Sequence, residues 1–404
     1  MRCEVVVAGG GVSGLLLARA LASAHDVILI EQRPEIPRAK YWLTDDLSAE
    51  QNPELSAAID CHYRHLDFLA YDSTCARIHG TYVLWDTDKL IAILLEDTRT
   101  RGARILTGHR LYAYRHIKRG IVIRANALEI EAKLLVDCMG FASPIVSALG
   151  TASILGYFIL TGQRLLAKAA IDPVGLHNVM LQRTPTYLEL FPTKDGFVDA
   201  AMIIPARSFN GKNTLAQDFQ FVVRSSHYSA LLDFPEPNLQ RRYYGIIPVG
   251  KVKRVALDRI VFAGEAGQCN PATSATCLTR MLVIHHQMAR RLSENLHSGQ
   301  LSARALTRGH TQAMTAMNRL FQEELFKSLL DASSIQFKRL VEELHDQPDE
   351  LVNDLIFARH DFGLSRSLRI GIGALKDPRG WLGVHTLRSV SRRLFYGGIT
   401  GRSG

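Results

Sequence analysis

Three glycines near the start of the chain have the spacing of a nucleotide-binding loop. Gly9, Gly11 and Gly14 form a G-x-G-x-x-G pattern that follows an apolar run and opens a helical pattern. In this motif the first glycine makes a tight turn, the second lets backbone N–H groups approach a pyrophosphate, and the third lets the helix pack on the strand. The pyrophosphate lies at the positive end of the helix, so Val12 and Ser13 belong to the same predicted site.

An acidic residue closes the second predicted strand. Glu31 follows the apolar residues 27–30, where a carboxylate can accept hydrogen bonds from ribose hydroxyls and disfavours a 2′-phosphate. A strand before the glycines, a helix over residues 13–24 and this acid together predict dinucleotide binding. A glycine-rich turn without a ligand is the alternative.

A late segment has the pattern of a further strand of the same nucleotide-binding fold. Residues 259–263, apolar after Arg259, have a strand pattern and lead into Gly264 and Glu265, and Pro271 then precedes a helical pattern from about residue 275 to 296. Such a return is expected of a flavin site, because the ribityl chain and the isoalloxazine extend beyond the pyrophosphate. An ordinary strand–helix crossover is the alternative.

The residues of this late segment are suited to contact a flavin. Glu265 can bond a ribityl hydroxyl, and the helix start at Ser274 and Ala275 can present N–H groups to the pyrimidine side of the ring. A helix N-terminus favours negative charge, and therefore a reduced flavin anion. Gly140, which follows another buried-strand pattern at residues 134–139, is predicted to join this site.

Composition restricts the class of protein. The 404 residues, 47% of them apolar, can bury a large core in two joined lobes. The net charge of +9 is unaccompanied by a nucleic-acid recognition motif, so no nucleic-acid partner is expected. The six cysteines do not have the spacing of a metal-binding or redox motif, so we expect reduced thiols and no metal site. Because the sequence leads directly into a strand and its apolar runs are short, we expect a cytoplasmic protein.

The C-terminal tail is basic. Residues 361–404 carry eight Arg or Lys and two Asp, together with aromatic residues such as Trp381 and Phe395. Such a tail can lie on an acidic membrane surface, which would make the protein peripheral to the membrane. A solvated tail is the alternative.

The order of patterns predicts how the chain is divided. We expect residues 1–150 to form the first part of the FAD-binding domain, 151–250 a β-rich substrate lobe, 251–300 the return segment, and 301–404 a helical region with the basic tail. Within the first part, residues 56–66 have a helical pattern, and four short alternating segments between residues 104 and 132 predict a meander.

Several of these motifs occur in the order found in the flavin-dependent lycopene cyclases, and the chain resembles that family over most of its length. The resemblance lies within the wider group of flavoprotein hydroxylases and geranylgeranyl reductases. It implies an α/β fold with a Rossmann-type FAD-binding domain of the flavoprotein hydroxylase kind, a β-sheet substrate lobe and a helical C-terminal region. The motifs are Gly9–Gly14, Glu31, Tyr41–Trp42 with Asp45, Asp137 to Gly140, Gly156–Tyr157, Leu188 to Pro192, Phe197–Asp199, Ile247–Pro248 and residues 264–271.

The resemblance also implies a mechanism. In that family reduced FAD undergoes no net electron transfer, and a carboxylic acid protonates a terminal alkene so that a neighbouring double bond attacks the carbocation. Asp199, with Ala200 after it, stands where the family usually has two adjacent glutamates. Glu189 is the second candidate acid, although strand parity places it opposite Leu188 and Leu190, and a solvated outer face is its alternative.

Four further residues are predicted to line a substrate pocket. Trp42 and Asp45 lie where the family's early tryptophan and acid approach the ring, with core packing and a turn as their respective alternatives. Tyr243 and Tyr244 can line an apolar pocket and stabilise a cation through their ring faces, or can belong to the core.

These observations predict a function with two alternatives. We expect an FAD-dependent, non-redox, acid-catalysed cyclisation or isomerisation of an apolar polyene, isoprenoid or polyketide-like chain. The first alternative is a flavin monooxygenase or double-bond reductase with NAD(P)H as the external reductant. The second is a degenerate protein that binds an apolar ligand without chemistry.

Overall fold

The computed structural model describes residues 1–36, 41–150, 152–179, 186–208, 214–235, 241–267, 270–272, 274–309, 323 and 326–357. The strands in these parts are β1 (Val5–Ala8), β2 (Val27–Ile30), β3 (Trp42–Asp45), β4 (Ile59–Leu69), β5 (Cys75–Trp85), β6 (Arg104–Leu106), β7 (Leu111–Ile117), β8 (Gly120–Ala125), β9 (Leu128–Ala132), β10 (Leu134–Asp137), β11 (Ala152–Ala167), β12 (Val174–Val179), β13 (Thr186–Pro192), β14 (Phe197–Ala206), β15 (Leu232–Asp233), β16 (Arg242–Val252), β17 (Ala256–Leu257) and β18 (Ile260–Phe262). The α-helices are α1 (Val12–Ala22), α2 (Asp46–Glu50), α3 (Thr87–Thr100), α4 (Pro144–Leu149), α5 (Leu215–Val223), α6 (Ser226–Ser229), α7 (Cys277–His297), α8 (Ala303–Gly309), α9 (Ser334–His345) and α10 (Asp349–Phe357).

The first sheet is a six-stranded Rossmann-type sheet in the order β17-β18-β10-β1-β2-β6. Strand β1 pairs in parallel with β10 and β2, and β10 pairs in parallel with β18. Each residue of β1 is fully buried, because helices and further strands cover both faces of a parallel sheet. The predicted return of the late segment to the nucleotide-binding fold is confirmed by the pairing of β18 with β10.

A nine-stranded sheet forms the second layer, in the order β15-β11-β14-β13-β12-β4-β5-β3, with β16 beside β11. Three of its strands, β3 to β5, come from residues 42–85, ahead of the segment predicted to form this lobe. The division at residues 150, 250 and 300 stays a prediction, but this sheet draws on both sides of the first boundary.

The prediction of a helix over residues 56–66 is wrong. A short 3-10 turn, Pro53–Ala58, leads instead into the eleven residues of β4. The register of β4 against β5 shifts between Tyr63 and His65. Such a bulge interrupts the alternation of apolar and polar residues that marks a strand, so the segment mimics a helical period.

The predicted meander is confirmed only in its last three strands. Strands β7, β8 and β9 form a separate antiparallel sheet. The segment predicted as its first strand, β6, pairs in parallel with β2 at the edge of the Rossmann sheet. A strand of three residues is too short for the sequence to show which sheet it joins.

The C-terminal region is helical where the structure describes it. Besides α8, α9 and α10, residues 326–331 are helical, and Ser333 starts α9 through a capping box with Gln336. The basic tail, including Trp381 and Phe395, lies outside the described residues. In the described parts of the chain, no helix is both long enough and apolar enough to cross a membrane.

Candidate functional site

The glycines that start α1 serve two different purposes. A Cβ atom on Gly9, which has φ +104°, would lie 2.4 Å from the Cys138 carbonyl oxygen, and one on Gly14 would lie 1.9 Å from the Gly9 carbonyl oxygen. The packing of the protein itself therefore requires these two glycines. A Cβ on Gly11 would meet no atom within 4 Å, although Gly11 borders a large cavity. The space above Gly11 is thus open to a ligand, and the residues present fit a bound pyrophosphate.

The acid that closes β2 is held against the wall of that cavity. Glu31 is 7% exposed, and its Oε2 accepts a 2.7 Å hydrogen bond from the Gly10 amide while its Oε1 accepts one of 2.9 Å from the Arg33 amide. These two bonds fix the carboxylate beside the glycines, at the position where this fold places an acid that can accept hydrogen bonds from a ribose.

Three segments converge at the start of α1. Gly264 has φ +61°, and a Cβ there would lie 2.5 Å from the Ser13 hydroxyl oxygen. Gly140 has φ +73°, and its Cβ position lies 3.5 Å from Oε2 of Glu265. Burial raises the pKa of Glu265 to about 7, so this carboxyl is partly protonated near neutral pH.

A second carboxyl, fully buried, stabilises the turn that leads from β10 to Gly140. Asp137 ends β10 with no exposed surface; its Oδ1 accepts a 3.0 Å bond from the Met139 amide, and its Oδ2 accepts a bond from the Ser143 hydroxyl. Burial raises its pKa to about 6, against the effect of these two bonds. The carboxyl holds the turn that carries Gly140 to the cavity.

The turn before α7 borders the same cavity. Ala275 has φ +53°, and its amide donates a 2.9 Å bond to the Pro271 carbonyl. Ser274 and Ala275 line the cavity, whereas Pro271 does not. The Ser274 hydroxyl donates a 2.5 Å bond to the carbonyl of Ile356 in α10, which ties this turn to the helical region.

One cavity of about 860 Å³ joins the glycine loop to the nine-stranded sheet. We call it the central cavity. Its far part is walled by apolar residues of the sheet and roofed by α9, α10 and residue 329. The sheet wall includes Leu66, Phe68, Phe158, Leu160, Tyr187 and Phe191, and the roof includes Leu329, Phe337, Leu344, Val352 and Phe357.

The two candidate acids are placed differently. Glu189 lines the central cavity between Tyr187 and Phe191, which share its face of β13. It therefore does not lie on an outer, solvated face. Asp199 on β14 is 2% exposed and does not line the cavity. The Tyr243 hydroxyl lies 3.1 Å from its Oδ2.

Of the four predicted pocket residues, Trp42 alone lines the central cavity. Asp45 caps α2, where its Oδ1 accepts a 2.7 Å bond from the Ser48 hydroxyl, so its placement corresponds to the turn alternative. Tyr243 lies beside Asp199 rather than at the wall. Tyr244 is 51% exposed and points away from the cavity, because neighbouring residues of a strand face opposite sides.

Sequence reasoning missed the roof and one glycine. The roof residues of α9 and α10 have ordinary helical spacing, which does not reveal what a helix covers. Gly162 of β11 is crossed by the Tyr243 ring, and a Cβ there would lie 2.2 Å from the ring. An isolated glycine inside a strand pattern is the one signal that could have indicated such a close approach.

A parallel sheet that ends on a glycine loop and shares a cavity with a second sheet is the Rossmann-type FAD-binding fold of the flavoprotein hydroxylases. Solved structures agree with this class. A geranylgeranyl bacteriochlorophyll reductase-like protein from Thermoplasma acidophilum matches with a TM-score of 0.63 and 15% identity, over 91% of this chain and 95% of that one. A variant of the halogenase PltM in complex with FAD matches with a TM-score of 0.66 and 12% identity, over 98% and 96%. The Diels-Alderase PyrE3, from the biosynthetic pathway of pyrroindomycins, matches with a TM-score of 0.63 and 15% identity, over 88% and 80%.

The sequence itself places the chain in a family. The sequence profile described as lycopene cyclase protein matches residues 4–353, and the chain belongs to that family. A search of curated proteins gives no significant match.

Proposed function

We propose that this protein binds FAD and catalyses the non-redox, acid-assisted cyclisation or isomerisation of an apolar polyene or isoprenoid chain. The observation that carries the proposal is the position of Glu189. It is the carboxyl on the apolar far wall of a cavity whose other end reaches the glycine loop.

The residues that would hold FAD follow from the placement described above. Gly11 and Ser13 would contact the pyrophosphate, Glu31 a ribose, Glu265 a ribityl hydroxyl, and the turn at Ser274 the ring. When bound and reduced, FAD supplies negative charge beside the substrate, where a cation is stabilised by a fixed anion in a dry site.

The chain's own residues account for the proton transfer. A protonated Glu189 donates its proton to a terminal alkene, which leaves a carbocation, and a neighbouring double bond attacks that cation to form a new carbon–carbon bond. Transfer of a proton from an adjacent carbon to water at the cofactor end of the cavity completes a product of unchanged mass. The ring faces of Tyr187 and Phe191 stabilise the cation, and the apolar roof excludes water that would trap it.

Three comparisons support this proposal. Membership of the lycopene cyclase family favours acid-assisted cyclisation of an isoprenoid. The Diels-Alderase PyrE3 shares the fold, which supports a bond-forming cyclisation on this scaffold. The FAD in the PltM structure supports FAD as the cofactor.

Net redox chemistry is the second candidate. The fold shared with a geranylgeranyl bacteriochlorophyll reductase-like protein favours double-bond reduction with NAD(P)H as the reductant. Reduction adds two hydrogen atoms to the substrate and oxygenation adds an oxygen atom, whereas cyclisation changes no mass.

The test uses the full chain loaded with FAD, reduced under anaerobic conditions and given lycopene in detergent as the probe. We expect a product isomeric with lycopene, formed without NAD(P)H consumption. Glu189→Gln should lower turnover on the order of 100-fold, because it removes the proton donor while keeping the shape. Glu129→Gln, an exposed glutamate paired with Arg124 on the meander, is the matched control.

Three outcomes would contradict the proposal. Failure to retain added FAD would remove its cofactor. A mass gain coupled to NAD(P)H consumption would assign the protein to the redox class. Full turnover in Glu189→Gln would show that another group donates the proton.

A further inference from the structure

Four residues on adjacent strands form one row across the nine-stranded sheet. Tyr243 pairs with Gly162, Gly162 with Ala201, and Ala201 with Glu189. Directly paired residues project to the same face of a sheet, so all four face the side of the central cavity. The two inner members are small, which leaves the face open between the tyrosine and the glutamate.

The Tyr243 ring lies in this gap. A Cβ on Gly162 would lie 2.2 Å from Cζ of the ring and 2.3 Å from its hydroxyl oxygen. Because Gly162 has no side chain, the ring crosses β11 and its hydroxyl reaches β14. There the hydroxyl oxygen lies 3.1 Å from Oδ2 of Asp199 and 3.1 Å from the Ala200 carbonyl oxygen.

The Tyr243 hydroxyl can form hydrogen bonds with both Asp199 and Ala200 only if one of these two partners donates a proton to it or if its own single proton is shared. A tyrosine hydroxyl has one proton to donate, and the Ala200 carbonyl can only accept. Both contacts are satisfied when Asp199 carries a proton and donates it to the hydroxyl oxygen, while Tyr243 donates to Ala200. Asp199 is 2% exposed, and burial favours the neutral form of a carboxyl.

Tyr243 also keeps its own proton. Burial raises the pKa of its hydroxyl well above the usual value, and whenever Asp199 or Glu189 is ionised its negative charge raises that pKa further. Asp199 contacts this hydroxyl directly, and Glu189, on the neighbouring strand and the same face of the sheet, is close enough for its charge to act on it.

We propose, resting on the proposed function, that Asp199 and Tyr243 are positioning residues that form a proton reserve for Glu189. After Glu189 has protonated the substrate, the Tyr243 O–H bond breaks as a Glu189 O–H bond forms, and the Asp199 O–H bond breaks as the Tyr243 O–H bond is restored. The proton released by the product carbon passes to solvent through the cofactor end of the central cavity, and Asp199 recovers a proton from solvent once the product has left. One proton leaves the protein and one returns in each turnover, so no oxidant or reductant is needed.

The first test needs no substrate. Infrared difference spectra of the FAD-loaded full chain, wild type minus Asp199→Asn, should show the C=O stretch of a protonated carboxylic acid. At about pH 8.5 Asp137 and Glu265, two carboxyls whose pKa values are raised by burial to about 6 and about 7, are mostly ionised. A spectrum without that band overturns the proposal.

The same band reports on Tyr243. Tyr243→Phe should shift it, because Asp199 loses the oxygen to which it donates. Gly162→Ala should do the same by displacing the ring. Tyr112→Phe, a 58% exposed tyrosine on the meander, should leave the band unchanged. A band that stays unshifted in both Tyr243→Phe and Gly162→Ala overturns the proposal.

The second test separates the first turnover from later ones, again with lycopene as the probe. Because the reserve is needed only after Glu189 has given a proton to the substrate, Tyr243→Phe should keep the rate of a single turnover and lower the steady-state rate on the order of tenfold. An equal fall in the single-turnover and steady-state rates, or no fall in either rate, would overturn the proposal. A wild-type protein that leaves lycopene unchanged would contradict the proposed function with this probe, and the infrared band still decides the protonation of Asp199.

Discussion

The hydroxyl of Tyr82 donates a 2.6 Å hydrogen bond to Oδ1 of Asn353, although 271 positions separate the two residues. Asn353 in turn donates from Nδ2 to the His79 carbonyl at 2.9 Å. Both side chains are buried, and the pair fastens α10 to β5. Because α10 contributes Val352 and Phe357 to the roof, this contact determines how firmly the central cavity is covered.

Tyr82→Phe should loosen that roof. The change leaves the buried Asn353 oxygen without its donor, which costs about 1–3 kcal/mol of the free energy of unfolding. Urea unfolding should detect the loss, and hydrogen exchange should be faster in residues 349–357. Tyr112→Phe provides the control, since an exposed tyrosine leaves nothing unsatisfied. Unchanged stability together with unchanged exchange would show that the contact does not hold the helix.

Gly11→Val should separate cofactor binding from folding. A side chain at Gly11 meets no protein atom within 4 Å but occupies the space that a pyrophosphate would need, so FAD affinity should fall at least about tenfold, or 1.4 kcal/mol. The free energy of unfolding without FAD should change little. Gly9→Ala is the opposite case, because its Cβ would lie 2.4 Å from a carbonyl oxygen and should destabilise the fold. Flavin titration and urea unfolding of both variants check the contrast, and full FAD retention by Gly11→Val would contradict it.

Glu265 should make stability depend on pH. Its pKa is about 7 in the folded chain against 4.5 ordinarily, because burial disfavours the charge. Between those values the folded chain holds a proton that the unfolded chain has lost, so stability is greatest below the lower value and falls as pH rises through the upper one. The loss is at most about 3 kcal/mol.

Glu265→Gln should remove this part of the pH dependence. Urea unfolding of the flavin-free protein at about pH 5 and about pH 8 measures the slope. Asp137 contributes in the same direction in both proteins, since its pKa is also raised, to about 6. An identical slope in the variant and the wild type would show that Glu265 does not carry the effect.

Ser274→Gly should weaken the link between the flavin-side turn and the roof. The variant loses the 2.5 Å bond to the Ile356 carbonyl, a contribution of about 1 kcal/mol. We expect faster dissociation of FAD and faster hydrogen exchange at the end of α10. Ser147→Gly, at an exposed serine in α4, is the comparison. FAD dissociation at the wild-type rate would indicate that Ser274 has no part in retaining the cofactor.

The cofactor end of the site was predictable because its signals are local. Gly9, Gly11 and Gly14 lie within six residues, and Glu31 follows in the next strand, so a short stretch of sequence contains the whole pattern. The late segment at Gly264 was predictable for the same reason, since a strand, a glycine turn and a helix follow one another without interruption.

The acid end depends on register, which the sequence does not contain. Glu189 and Asp199 lie on the same face of the sheet, because Glu189 pairs with Ala201 and Asp199 with Phe191, but the Tyr243 hydroxyl reaches Asp199 and only Glu189 lines the cavity. A shift of a single residue would reverse which side chains face the cavity. The sequence identified both carboxyls as candidates and offered no means to choose between them.

The parallel pairing of β10 with β18 has a consequence for synthesis on the ribosome. Strand β10 lies between β1 and β18, and Gly264 presses against Ser13, so the first strands remain an open-edged sheet until the chain has been translated past residue 264. An N-terminal fragment that stops earlier has the glycine loop but lacks the partner that completes it. We therefore expect cofactor capture to be a late event, which occurs only after about two thirds of the polypeptide has left the exit tunnel.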